Sequence, residues 1–261
     1  MAVLTLPFLV LLAQGAPTVP DFDVVRDFLL SGKVVAVKTL SKGVTRPRRV
    51  TLKRGDTTGD AVFQSINAAK PVERFSNGKV EMNFRDSYHF NIAVWELARL
   101  IGIETMVPPC VERKIQYEKG SLCWWVPWKW DEQMRVEQKL RPPDQERWNR
   151  QWATMRVFRE LVDDSDRNQT NMLISEDWHV WMVDFSRAFR KSQSLRRPAE
   201  LRRCPEAVLA RLRALEPAAV KKAVGQHLQL GEIAAVLKRR DALVAHFDAQ
   251  IAERGAASVL F

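Results

Sequence analysis

Cysteine and histidine are scarce in this chain of 261 residues, and the few present lack the spacing that chemistry would need. Cys110, Cys123 and Cys204 make an odd count with no disulfide framework and no zinc-type repeat, and Cys110 and Cys123 sit in apolar runs that read as inert core. His89, His179, His227 and His246 show no metal-ligand spacing. No serine or cysteine stands in a nucleophile elbow or a triad context, which removes the common hydrolase designs. Basic residues are not interleaved with aromatics in any stretch, so dedicated nucleic-acid binding is not expected. Beyond the first 19 residues no apolar run is long enough to span a membrane.

What is present is enough to build a core: 46% of the residues are hydrophobic, and a chain of this length can bury a substantial interior. A formal net charge of +10 favours an acidic partner such as a nucleotide, a phosphorylated substrate or an anionic surface. Residues 1–19 carry an apolar run over 3–13, then Gln14-Gly15-Ala16-Pro17, with Ala13 and Gly15 as small residues at a plausible cleavage point. This is a candidate signal peptide without an N-terminal Lys or Arg; a start codon placed too early or an apolar packing strand is the alternative. The first reading exports the protein to a periplasm, a secretory lumen or the outside. The second leaves it cytoplasmic.

The chemistry concentrates between Met155 and Phe189. Met155, Val157, Phe158 and Leu161 recur at helical spacing, and the run Asp163 to Asn168 then breaks the helix with short polar side chains that bond their own backbone. Residues 172–174 and 180–183 are short apolar strands with Glu176-Asp177 in the turn between them. Asp166, Asn171 and Asp184 then face one space. Two carboxylates and an amide oxygen suit phosphoryl transfer: Mg²⁺ prefers hard oxygen ligands, and a further carboxylate can accept a proton from the attacking hydroxyl. The alternative is a polar turn followed by an Asp that caps the next segment.

Asp166 and Asn171 have the five-residue spacing of the protein-kinase catalytic Asp and metal-binding Asn. The stretches D-R-N-Q-T-N and V-D-F-S-R-A-F resemble those of phosphatidylinositol kinases, HipA-type bacterial kinases and the secretory-pathway casein kinase family. The run from Asn91 to Ile101, then Val107-Pro108-Pro109, resembles the last family's helix and following strand, and 120–127 resembles its strand into the hinge. The matches keep their order over about 33–190. The resemblance implies an α+β, two-lobed kinase-like fold, with a small, mostly β N-lobe over 20–128 and a mostly helical C-lobe over 129–261. It implies ATP and Mg²⁺ as cofactors, Asp166 as catalytic base, and Asn171 and Asp184 as metal ligands. Arg187 matches an Arg of that pattern, and Arg167 would support the loop. A metal-dependent phosphoesterase fits less well, because no dense His/Asp cluster supplies a two-metal site.

Other positions follow from the same reading. Residues 21–30 read as a helix; 34–40 and 50–52 read as strands joined by a loop whose Lys42, Gly43 and Thr45 could cover nucleotide phosphates, although an ordinary hairpin loop fits as well. The strand 61–66 places Gln64 where kinases carry a phosphate-binding Lys. The helix 85–100 places Asn91 where they carry its Glu partner, so a pseudokinase, a nucleotide-binding or scaffold module, is the rival reading. Glu96 falls on another helical face. Residues 107–116 and 122–126 read as strands turning at Lys119-Gly120, and Trp124 and Trp125 begin an aromatic cluster that adenine could enter or that could pack the lobe junction. Helices are expected over 145–161, 205–215, 217–228 and 231–251, with Lys221, Lys222, Lys238, Arg239 and Arg240 on a solvated face, a candidate acidic-substrate surface. The acceptor itself is not written in these residues.

Overall fold

Asp21 accepts hydrogen bonds from the amides of Asp23 (2.9 Å) and Val24 (3.3 Å), and this cap starts α1 (Phe22–Ser31). The computed structural model describes residues 20–40, 46–76, 78 and 80–261. The candidate signal peptide and the loop positions Lys42, Gly43 and Thr45 therefore lie outside the described residues. Strands β1 (Lys33–Thr39), β2 (Arg48–Arg54) and β3 (Thr57–Gln64) follow as an antiparallel meander. In β2, Val50 and Leu52 point inward between polar neighbours, the period-two pattern of a half-buried strand.

Next come two long partners, β4 (Asn67–Arg74) and β5 (Val80–Ser87), which form a separate two-stranded ribbon. The helix expected from residue 85 starts later, as α2 (Tyr88–Ile101), because Arg85, Asp86 and Ser87 are taken up by pairing with Ala69, Ala68 and Asn67. The Tyr88 amide donates to the Ile66 carbonyl, so strand gives way to helix at that residue. Gly102, at φ 74°, closes α2 as a left-handed cap.

Strands β6 (Cys110–Ile115) and β7 (Glu118–Trp124) complete a five-stranded sheet in the order β1-β2-β3-β7-β6. Their turn is Gln116-Tyr117, both at positive φ, and not the expected Lys119-Gly120. Gly120 instead permits a close approach, since a Cβ there would stand 2.2 Å from the Gln64 carbonyl oxygen and 2.7 Å from Phe63 Cζ. Its hydrogen lets β7 lie against the end of β3. Cys110 and Cys123, read as inert core, sit directly opposite in the register and form a disulfide with Cα atoms 4.0 Å apart. The misplaced turn hides this pair, since only a turn at Gln116-Tyr117 gives the register that sets the two residues opposite each other.

The second half begins with β8 (Trp130–Asp131), α3 (Glu132–Glu137) and α4 (Gln145–Leu161), then β9 (Met172–Ile174) and β10 (Val180–Met182), which with β8 form a small sheet ordered β10-β9-β8. Helices α5 (Glu206–Arg213), α6 (Pro217–Val224), α7 (Leu230–Arg254) and α8 (Ala256–Val259) finish the chain. The main core joins α2 to α4 and the C-terminal helices through Trp95, Phe158, Leu212 and Phe247. A smaller core under the five-stranded sheet holds Leu29, Leu52, Phe63 and Leu122. Lys221, Lys222 and Lys238 are exposed as expected, but Arg239 is fully buried. Its guanidinium donates to the carbonyls of Leu161 (2.9 Å), Arg190 (3.0 Å) and Ser192, and burial pulls its pKa down to about 10. No described helix is long and apolar enough to cross a membrane.

Candidate active site

The loop after α4 is organised by Arg167. Its guanidinium donates to Asp164 Oδ2 (2.6 Å), to the Asn171 carbonyl (2.7 Å) and to the Val183 carbonyl (2.5 Å), and it lies over the Phe185 ring at 4.1 Å. Arg167 and Asp164 are both nearly inaccessible to solvent. One cation thus ties the loop's start, its end and the far side of the β9–β10 hairpin. The Val183 amide returns to the Asn171 carbonyl at 3.0 Å, which brings Asp184 beside Asn171. Asp184 adopts φ 55°, a region that short polar residues tolerate better than bulky ones and that persists only when neighbours hold it.

Those neighbours form a chain of amides. Asn91 Oδ1 accepts from the Phe185 amide (2.8 Å), and its Nδ2 donates to Gln64 Oε1 (2.6 Å) and to Ser121 Oγ (3.1 Å). Gln64 Nε2 then reaches Asp184 Oδ1 at 3.3 Å. The Phe185 N–H fixes which way Asn91 faces, and Asn91 in turn fixes Gln64. The neutral pair does what an ion pair would do for geometry: it couples α2, β3 and the segment after β10. It supplies no cation.

Gln64, Asn91, Asn171 and Asp184 all line one cleft of about 480 Å³ between the two sheets. Val62 on β3, Leu173 on β9, Met182 on β10, Trp124 and Trp125 give it apolar walls, and the Cys110–Cys123 disulfide lies in its lining. Trp124 also meets Trp181 edge-on at 5.5 Å, and Trp125 lies under the Arg49 guanidinium at 4.4 Å. Both rings therefore serve the junction as well as the cleft. Glu96 lies outside this lining, in a different cleft with Arg26.

Asp166 is not part of the cleft wall. It is about half exposed, and Arg187 Nη1 holds its Oδ2 at 2.9 Å. The other arm of Arg187 holds Glu81 on β5 at 2.9 Å, and Arg190 pairs with the same Glu81 at 2.7 Å. Glu81 is a site residue that sequence reasoning missed, because the ribbon carrying it has no clear burial pattern. Asp86, at the end of that ribbon, is another: burial, then the like charge of Asp184, push its carboxyl above the usual range. The arrangement offers hard oxygen ligands at Asp184 and Asn171, a positioned carboxylate at Asp166 and an apolar slot alongside.

No protein-family model and no curated protein matches the sequence. Among solved structures, the chain is similar to a hydra Fam20 determined with sugar, at 16% identity and a TM-score of 0.65, over 92% of each chain. It is also similar to the proinflammatory kinase CtkA of Helicobacter pylori, at 9% identity and a TM-score of 0.54, over 86% of this chain and 97% of that one. These likenesses show the fold alone, an α+β two-lobed kinase-like architecture with a sheet-rich N-terminal part and a helical C-terminal part.

Proposed function

We propose that the chain is an ATP- and Mg²⁺-dependent phosphotransferase acting on a hydroxyl acceptor, with protein as the favoured class. The observation that carries this reading is the meeting of Asn171 and Asp184 in one cleft, with Asp184 held by the Ser121–Asn91–Gln64 chain. Asp184 and Asn171 would hold Mg²⁺, whose chemistry is to neutralise charge on the phosphate oxygens during transfer. Val62, Leu173 and Trp124 would enclose the adenine, and Lys42, Gly43 and Thr45 are assigned to the phosphates on sequence alone. Asp166 would orient the acceptor hydroxyl and take its proton, with Arg187 fixing the carboxylate. An acidic acceptor is favoured by the net charge of +10, whereas in a second cleft of about 300 Å³ beside Ser165 the cations Arg85, Arg190 and Arg196 are already paired with Glu232, Glu81 and Asp163. Export is favoured by the Cys110–Cys123 disulfide, since such bonds persist in oxidising compartments.

A second reading has its own observation. The hydrogen-bonded Gln64–Asn91 pair leaves the α- and β-phosphates without the usual cation, which favours a pseudokinase. Two variants and the wild type separate the readings. Losing a charge-assisted ligand contact is worth roughly 1.5–3 kcal/mol, so Asp184→Ala should weaken Mg-ATP binding at least about tenfold by calorimetry. Asp166→Ala should keep nucleotide affinity and lose transfer, because a base acts mainly in the transition state. Equal Mg-ATP affinity in wild type and Asp184→Ala would remove the metal assignment. Nucleotide binding without ATP consumption by the wild type, across several acceptors, would favour the pseudokinase.

A further inference from the structure

His89, Glu112 and His227 are more than 100 residues apart from end to end, yet the fold brings them together. His89 lies in the first turn of α2, Glu112 on β6, and His227 just beyond α6. The two Nδ1 atoms are 3.2 Å apart, His89 Nδ1 is 3.9 Å from Glu112 Oε2, and all three donor atoms lie within 4.8 Å of one another. The histidines show no metal-ligand spacing in the sequence, and their linear spacing is indeed irregular. Spacing along the chain cannot show a site assembled from two lobes.

A tetrahedral zinc with bonds of about 2.0–2.1 Å to nitrogen places two ligand atoms about 3.3–3.4 Å apart. The His89–His227 separation is close to that edge, and two imidazoles with one carboxylate are a donor set that suits zinc. The carboxylate is also held. Tyr88 Oη donates to Glu112 Oε2 at 3.1 Å, an outer contact of the kind that orients metal-binding carboxylates. Lys119 Nζ lies 3.7 Å from Glu112 Oε1, leaving the other oxygen to face His89. Arg85, the other cation near His89, is occupied by Glu232. His89 and His227 are partly accessible, Glu112 is exposed, and Glu112 and His227 line a cleft of about 320 Å³, so an ion has a route in.

We propose that His89, Glu112 and His227 form a zinc site that joins the start of α2 to β6 and to the segment after α6. It is independent of the phosphotransfer reading. Its consequence for the cleft runs through α2, because Asn91 lies two residues beyond His89 and holds the Phe185 amide. Zinc would then steady the helix that positions Gln64 and Asp184.

The test is zinc titration of chelator-stripped full-length protein against a competing indicator, with cobalt substitution to read coordination geometry. One zinc should bind in the wild type and equally in Asp184→Ala, with tetrahedral cobalt absorption. Affinity should fall at least tenfold in His227→Ala and in Glu112→Gln, the latter a near-isosteric change on an exposed strand position that keeps the protein folded. At equal zinc concentration the melting temperature should rise more in wild type than in Glu112→Gln. No stoichiometric uptake by wild type would overturn the site, leaving two histidines sharing a hydrogen bond. Unchanged uptake in Glu112→Gln, or uptake lost in Asp184→Ala, would overturn it as well.

Discussion

At the scale of single residues, Gln64 and Asn91 matter most, since they form a neutral, hydrogen-bonded pair at the buried junction of α2, β3 and the segment after β10. A lone charge left in a buried site costs more than a neutral pair that satisfies itself. Gln64 and Asn91 are both buried, and their amide oxygens and nitrogens all meet partners, among them Ser121, Asp184 and the Phe185 amide. Gln64→Lys should therefore lower the melting temperature, because the Asn91 amide nitrogen loses its acceptor and faces an ammonium, although that ammonium can still reach Asp184. Adding Asn91→Glu should restore part of the loss. Thermal melts of the single and double variants decide this, and a freely tolerated Gln64→Lys with no gain from the second change would show that the two positions are not coupled.

At the scale of elements, the sequence makes α4 legible to the residue, with Asp144 as a cap that accepts from the Arg147 amide at 2.9 Å. The loop after it, with its hairpin and Asp184, is legible too, because polar turn residues and short apolar runs have local causes. The β4–β5 ribbon is not, since its strands are mostly exposed and carry no alternation that period-two reasoning can use. With the ribbon hidden, the start of α2 and the roles of Glu81 and Asp86 are hidden as well. Arg167 reads from the sequence only as a support, whereas its buried contacts hold the whole loop together. Arg167→Met should destabilise that loop by about 3–5 kcal/mol, the usual cost of stranding a buried charge such as Asp164. Hydrogen exchange across residues 163–185 should rise in this variant, and unchanged protection there would contradict the assignment.

At the scale of the whole molecule, the contacts least visible in the sequence are the Cys110–Cys123 bond, which depends on one hairpin's register, and those between distant segments, the buried Arg239 and the His89–His227 pair. Each depends on register or helix packing that composition does not encode. Cys204 offers a readout of the global fold. It is buried, pairs its backbone with Leu260 near the C-terminus, and burial pushes its thiol up to about 12. Native protein should show no rapidly reactive thiol, denatured unreduced protein one, and denatured reduced protein three. Three thiols without reductant would rule out the disulfide.

Gly120 ties these scales together in evolutionary terms. A single methyl group at that position would collide with the backbone of Gln64, so the residue behind β3 and the residue facing the cleft cannot drift separately. A lineage that gained a side chain at position 120 would have to move the end of β3, and with it the amide that reaches Asp184. The line from β7 through β3 to the cleft is thus constrained by one hydrogen atom, that of Gly120.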